Sequence, residues 1–188
     1  MAIDSPFLTI YFFKEIEYFP AVAGLTNGVP DMIQKVVSSD RKIRIAIVGC
    51  GRISKSHFES IEARADELEL VSVCDTDASV LAARHEKYNV PIYLHLKEML
   101  KNEELDLVVL STPSGLHASQ AELAAKYGVN VITEKPMATR WHDGVRMVKA
   151  CDDAGVELFV VKQNRRNSTL QLLKKAIDKG RFGRIYMV

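Results

Sequence analysis

The stretch Gly49-Cys50-Gly51-Arg52-Ile53-Ser54 follows an apolar run and opens a segment of helical period, the setting in which spaced glycines bind phosphate. Gly49 permits a tight turn. Gly51 lets the backbone come close to a pyrophosphate, whose charge meets the free N–H groups around Arg52 and Ile53 at the helix start. The third position of the motif holds Ser54 rather than Gly or Ala, which sets helix and strand somewhat further apart. A glycine turn without a ligand is the plain alternative, and the strand-then-helix context speaks against it. Asp75 closes the next apolar run, 21 residues after Ser54, where an acid accepts hydrogen bonds from the adenosine ribose hydroxyls of a dinucleotide. No Arg follows it in Cys74-Asp75-Thr76-Asp77-Ala78, so a 2′-phosphate would meet carboxylates without a cation. The expected cofactor is therefore NAD. A strand-end turn residue is the alternative for Asp75, and Asp77 reads better as a helix N-cap.

Three later segments carry further chemistry: Ser111-Thr112-Pro113-Ser114-Gly115-Leu116-His117, Glu134-Lys135-Pro136, and Val161-Lys162-Gln163-Asn164-Arg165-Arg166-Asn167. Each follows an apolar run, at what becomes the carboxyl end of a strand, where ligands sit in open α/β sheets. Lys135 can orient a hydroxyl group and, once desolvated enough to lose its proton near neutral pH, accept that hydroxyl's proton. A solvated strand-end lysine is the alternative. Pro136 permits a cis peptide bond that would aim the lysine. Gln163 carries an amide at a strand end, and Asn164, Arg165 and Arg166 carry donors suited to a phosphate-bearing ligand. His57, one turn into the first helix, reads as packing. Trp141 and His142 read as helix-surface or interface residues.

The elements that must position these groups alternate. Short β-rich runs at 43–49, 70–75, 92–94, 105–112, 130–134 and 157–163 are separated by segments of helical period at 53–65, 78–88, 97–102, 117–127 and 139–154. Gly128 and Gly155 stand where helices stop. That pattern requires a parallel sheet with helices on both faces, and six strands complete a doubly wound nucleotide-binding domain of α/β class, a Rossmann domain.

Taken in order, these four motifs resemble the glucose-fructose oxidoreductase, inositol dehydrogenase and MocA family, over about residues 41 to 188. The resemblance implies NAD as cofactor, with Thr112, Ser114 and His117 beside its ribose and phosphates and Glu134 and Lys135 near the nicotinamide. The longer wording GCGRI, EKPMATRW and VVKQNRRN through GRFGRIYMV is similar to family members acting on nucleotide-linked hexuronates. That implies oxidation of a UDP-linked N-acetylglucosaminuronate at C3 to the 3-keto sugar, in lipopolysaccharide O-antigen synthesis. Other sugar or polyol dehydrogenation, and a nonenzymatic NAD-binding remnant, are the alternatives. Family members are homo-oligomers and place after the Rossmann domain a mostly antiparallel sheet that holds the sugar and supplies a catalytic His. Such a substrate domain is missing here, so the expected organisation is an appendage over 1–40, the Rossmann domain over 41–167 and the start of a truncated substrate domain over 168–188, with activity impaired. Residues 184–188 read as the first strand of that second sheet.

Composition narrows the partners. At 188 residues, 47% of them hydrophobic, the chain can bury one sizeable core. Lys and Arg total 25 against 24 acids, which gives no global reason to expect a nucleic acid or a membrane surface. From Lys162 onward there are eight cations against the single acid Asp178; a diphosphate ligand gives that basic end a use, and no aromatic residues interleave it for base stacking. The apolar run 7–13 is closed by Lys14 and Glu15, too short for the ~20 residues of a membrane span. Docking of a membrane or partner through Phe7, Tyr11, Phe12 and Phe13 is the alternative reading. Cys50, Cys74 and Cys151 lie apart without metal-ligand spacing, and the absence of a positive leader segment points to the cytoplasm.

Overall fold

The computed structural model describes residues 16–18 and 41–186, with backbone alone for residues 16–18, Arg165 and Arg166. The chain forms strand β1 (Ile16–Tyr18), then β2 (Ile43–Val48), α1 (Ser54–Glu62), β3 (Leu68–Cys74), α2 (Ala78–Tyr88), β4 (Ile92–Tyr93), α3 (Leu96–Asn102), β5 (Leu107–Leu110), α4 (His117–Lys126), β6 (Asn130–Thr133), α5 (Trp141–Ala154), β7 (Leu158–Val161) and α6 (Ser168–Asp178). The sheet runs β1-β7-β6-β5-β2-β3-β4, parallel from β7 to β4. The six parallel strands are those expected; five are trimmed by a residue or more where the ladder gives way to a loop, and β3 begins two residues earlier, at Leu68, and ends one earlier, at Cys74. β1 pairs antiparallel with β7, Ile16 opposite Val161. It falls in the stretch read as an appendage, and three residues are too short to show a period of two. The remaining residues of that stretch, including the Phe7 to Phe13 run, lie outside the described residues.

Strand alternation decides the layering. Ala46, Val48, Val108, Leu110, Val131 and Leu158 face a core shared with Met99 of α3, Ala121 and Ala124 of α4, and Met147 and Cys151 of α5. Their neighbours Ile45, Ile47, Leu107, Val109, Ile132 and Phe159 face the opposite core with Phe58 and Ile61 of α1 and Leu81 of α2. Strands covered on both faces read as continuous apolar runs, as these do. On one side, four buried alanines (Ala118, Ala121, Ala124, Ala125) bring α4 close to the sheet and to α5. On the other, Phe58 stacks on Tyr88 at 4.8 Å between ring centroids.

Helix ends follow local chemistry. Asp77 caps α2, accepting from the amides of Ser79 and Val80, and Asn89 closes it at φ 51°. Gly155 closes α5 at φ 65°, in the left-handed region that suits glycine. α6 differs from the rest, since Asn167 caps it but none of its residues is buried. Beyond it, residues 184–186 form no strand; a strand needs a neighbour to close its ladder, and none of the described strands lies beside them. Met187 and Val188 lie outside the described residues. No helix among the described residues is long and apolar enough to cross a membrane.

Candidate functional site

The parallel strands finish together. Ser111 N–H donates to the Val48 carbonyl at 2.8 Å, Gly49 N–H to that of Cys74 at 2.8 Å, and Glu134 N–H to that of Leu110 at 3.0 Å, so the residues just past four strands share one edge of the sheet. Order reverses between β2, which leads outward to β3 and β4, and β5, which leads to β6 and β7. The loops part at such a switch point and leave a crevice. A cavity of about 600 Å³ opens there, lined by Gly49, Gly51, Asp75 and Thr112 and extended by Leu94, His95, Leu96, Lys97, Leu116 and Gln120.

The two glycines do different work. Gly49 has φ +85°, and a Cβ there would stand 2.8 Å from the backbone of Ser111 and Thr112. It is the point where the first loop passes against the β5 loop. A Cβ at Gly51 would meet nothing within 4 Å; this residue faces the cavity, and its openness is what a closely approaching pyrophosphate needs. The helix behind it has no side-chain cap, so its first N–H groups remain available to an anion. Arg52 and Ile53 are exposed there. Ser54 is fully buried and donates its hydroxyl hydrogen to the Gly51 carbonyl at 2.6 Å, which ties the loop to the helix in place of the close glycine contact.

Asp75 stands half-buried on the cavity wall. One carboxylate oxygen accepts the Cys50 amide at 2.6 Å and the other the Asp77 amide at 3.0 Å. It therefore holds the glycine loop in shape while presenting remaining lone pairs to a diol. The apolar side chains Leu94 and Leu96 make the neighbouring wall fit for a flat base. These residues, at the end of β4 and start of α3, escaped sequence reasoning because β4 has only two residues. Thr112 donates its hydroxyl to Gln120 Oε1 at 2.5 Å. Burial pushes the thiols of Cys50, beside Asp75, and of Cys74 up to about 12, so they line or support this region as inert groups. Cys151, buried under α5, is likewise pushed up to about 12 by burial.

The remaining expected residues do not line that cavity and follow the ends of β5, β6 and β7. Ser114 lies half-buried in a 3-10 turn, Ser114–Leu116. His117, expected beside the ribose and phosphates, is instead fully buried. Its Nδ1 is 3.0 Å from the Pro136 carbonyl oxygen and its Nε2 2.8 Å from that of Thr112, so both ring nitrogens face backbone. Glu134 is buried, with Oε1 at 2.9 Å from His57 Nε2 and Oε2 accepting the Lys135 amide at 3.2 Å. Burial pushes this carboxyl up, but the bond from His57, its charge, the Lys135 amide and the Lys135 ammonium together hold it below its ordinary value. His57 is thus more than packing. Its place three residues into α1 from Ser54 was visible in sequence, while its partner, 77 residues away, was not.

Lys135 is exposed and precedes a cis Pro136. The described residues do not supply the desolvation that acid–base work at this lysine requires. Gln163 and Asn164 are exposed in the 3-10 turn Gln163–Arg166 that follows β7, and the side chain of Arg165 lies outside the described atoms. Trp141 and His142 are exposed at the start of α5.

Comparison with known proteins agrees with this layout. Residues 43–162 match the model of an oxidoreductase family with an NAD-binding Rossmann fold. The chain is 58% identical to the WlbA dehydrogenase of Bordetella pertussis, solved in complex with NADH and UDP-GlcNAcA; the match covers 78% of this chain and 45% of that one at a TM-score of 0.75. It is 55% identical to the WlbA dehydrogenase of Chromobacterium violaceum, solved with the same two ligands, over 79% of this chain and 43% of that one, also at 0.75. D-apiose dehydrogenase of Paraburkholderia graminis is 33% identical over 81% of this chain and 40% of its own length. The chain spans about two fifths of the length of the curated relatives it matches.

Proposed function

Because the chain belongs to the glucose-fructose oxidoreductase, inositol dehydrogenase and MocA family of NAD-binding oxidoreductases, we propose that it is the cofactor half of a dehydrogenase that oxidises a UDP-linked N-acetylglucosaminuronate at C3 to the 3-keto sugar. The observation that carries this reading is the crevice at the switch point, where the open Gly51 backbone, an uncapped helix start and the Asp75 carboxylate converge. The substrate follows from the identity above one half shared with two dehydrogenases solved with UDP-GlcNAcA. Bound NAD would supply the nicotinamide carbon that accepts the hydride.

The chain's own residues then divide the labour. Gly51 and the amides of Arg52 and Ile53 would hold the pyrophosphate, Asp75 the adenosine ribose, and Thr112 with Ser114 the middle of the dinucleotide. At the other end Glu134 and Lys135 would flank the nicotinamide, with Gln163 on its amide or ribose. Lys135 would orient the sugar hydroxyl and take its proton once a sugar-binding surface covers it. Asn164 and Arg165 would meet the sugar nucleotide. In this reading residues 41–167 are the nucleotide domain and 168–188 lead into the sugar-binding part, as the greater length of the relatives supports.

The test pairs the chain alone with a longer protein in which the substrate domain of a WlbA-type dehydrogenase follows Val188. The chain alone should bind NAD in a calorimeter yet produce no NADH from UDP-GlcNAcA, since holding reactants in attack geometry contributes about 7 to 11 kcal/mol. The fusion should turn over and lose turnover with Lys135→Ala. NADH from the unfused chain would overturn the division of labour, and a fusion that oxidises myo-inositol but not the sugar nucleotide would overturn the substrate.

A further inference from the structure

Lys135 reaches into solvent, but the residues on either side of it are pinned. Before it, Glu134 is 6% exposed and held by His57. After it, the Pro136 carbonyl is held by His117, whose other nitrogen sits on the Thr112 carbonyl. The two histidines come from different helices, His57 from the first turns of α1 behind the glycine loop and His117 from the first residue of α4. They are 8% and 0% exposed, and neither lines the cavity.

A lysine has four rotatable side-chain bonds, so a protein places its amine chiefly by fixing the backbone that carries it and the charge beside it. Misplacement by about 1 Å is enough to lose much of a catalytic group's effect. Burying two imidazoles has a desolvation penalty that apolar side chains would avoid; here each imidazole places one ring nitrogen on an immediate neighbour of the lysine, His57 Nε2 on Glu134 and His117 Nδ1 on Pro136. His117 spans from the β5 loop to the β6 loop. His57 spans from the glycine-loop helix to the same β6 loop.

We propose that His57 and His117 are positioning residues for Lys135: they brace the Glu134-Lys135-Pro136 segment against the phosphate-binding helix and the Thr112 loop, so that the lysine and the nicotinamide end of the cofactor share one frame. The inference rests on the role given to Lys135 above. Around His57 the charged neighbours are Glu134 and, one residue on, Lys135. Around His117 the partners are the two carbonyls.

The test uses the full chain with His57→Leu and His117→Leu, which remove each brace, and His57→Gln and His117→Gln, which keep a donor. Competitive acetylation reads the reactivity of Lys135 against exposed Lys126 in the same molecule by mass spectrometry, with no cofactor present. The Leu variants should change the Lys135 to Lys126 ratio by about threefold or more, the Gln variants should restore it, and Glu134→Gln should change it too, because the carboxylate that pairs with His57 and accepts the Lys135 amide is gone. Second, NAD and ADP-ribose, which lacks the nicotinamide, are titrated. The Leu variants should weaken NAD about tenfold while leaving ADP-ribose near the wild-type value.

An unchanged labelling ratio in Leu variants that still melt cooperatively overturns the proposal, as does equal weakening of both nucleotides. Should a Leu variant fail to fold, Glu134→Gln decides through the same ratio, a wild-type value counting against the brace. A wild-type chain that binds neither nucleotide sinks the cofactor reading alone, because the labelling ratio is measured without nucleotide.

Discussion

At the scale of single residues, the two loop glycines separate folding from binding. Gly49→Ala places a Cβ against the Ser111 and Thr112 backbone at 2.8 Å in a left-handed conformation, so it should destabilise the domain by about 2 to 4 kcal/mol, read as a lower urea midpoint. Gly51→Ala meets no protein atom. It should leave the midpoint within about 0.5 kcal/mol of wild type and weaken NAD by about tenfold or more in calorimetry. A stable Gly51→Ala chain that binds NAD normally would remove the pyrophosphate from this loop. Asp75 combines both roles. Its oxygens hold the Cys50 and Asp77 amides, so Asp75→Ala should lower stability by about 1 to 3 kcal/mol as those amides lose their acceptor. The wild-type chain should prefer NAD to NADP, and equal affinities for the two would contradict the role given to that carboxylate.

At the scale of elements, the end of the sheet opposite the crevice is locked by Asp106, just before β5. Its carboxylate accepts two bonds from Arg41, at 2.6 and 2.7 Å, and the Arg44 amide of β2 at 2.8 Å. Burial pushes this carboxyl up, but the hydrogen bonds and charges of Arg41 and Arg44 outweigh it and hold it below the usual carboxylate range. A carboxyl depressed in the folded state adds stability that is complete above its unfolded value and fades as the pH falls through its folded value. Asp106→Asn should therefore destabilise the domain by about 1 to 3 kcal/mol at neutral pH. It should also flatten the loss of stability below the unfolded carboxylate range, measured by denaturant midpoints across pH. A variant whose acid limb matches wild type would show that β2 and β5 are registered by their ladder alone. Such a result is physically plain, since their four paired positions are wholly buried.

At the scale of the whole molecule, α6 stands apart from a domain that is otherwise packed on two faces. Leu170, Leu173 and Ile177 are all exposed and spaced by three and four, so they form one stripe along the helix. Past Gly180, Phe182 and Ile185 are exposed as well. An apolar patch of this kind drives association. The isolated chain should self-associate with concentration in sedimentation velocity, and Leu170→Ser with Leu173→Ser and Ile177→Ser should shift it toward monomer. Unchanged sedimentation would show that the stripe does not drive association.

What the sequence by itself determined is what short stretches can encode. Short β-rich apolar runs on doubly covered strands, glycine spacing at the first loop, the Asp77 cap and the glycine at the end of α5 all act within a few residues, so the six parallel strands, their helices and the crevice-lining residues Gly49, Gly51 and Asp75 were legible, while Thr112 was reached through the family resemblance. The antiparallel strand Ile16–Tyr18 was not, because three residues carry no period. Tertiary structure alone decided the pairings across distance: Arg41 with Asp106, His57 with Glu134, and His117 between Thr112 and Pro136. His57 and Glu134 meet because β2 lies beside β5 and β5 beside β6, an order that nothing near either residue specifies. A buried polar atom takes whichever partner the packed neighbours offer, and for His117 those neighbours are carbonyls of the loops after β5 and β6.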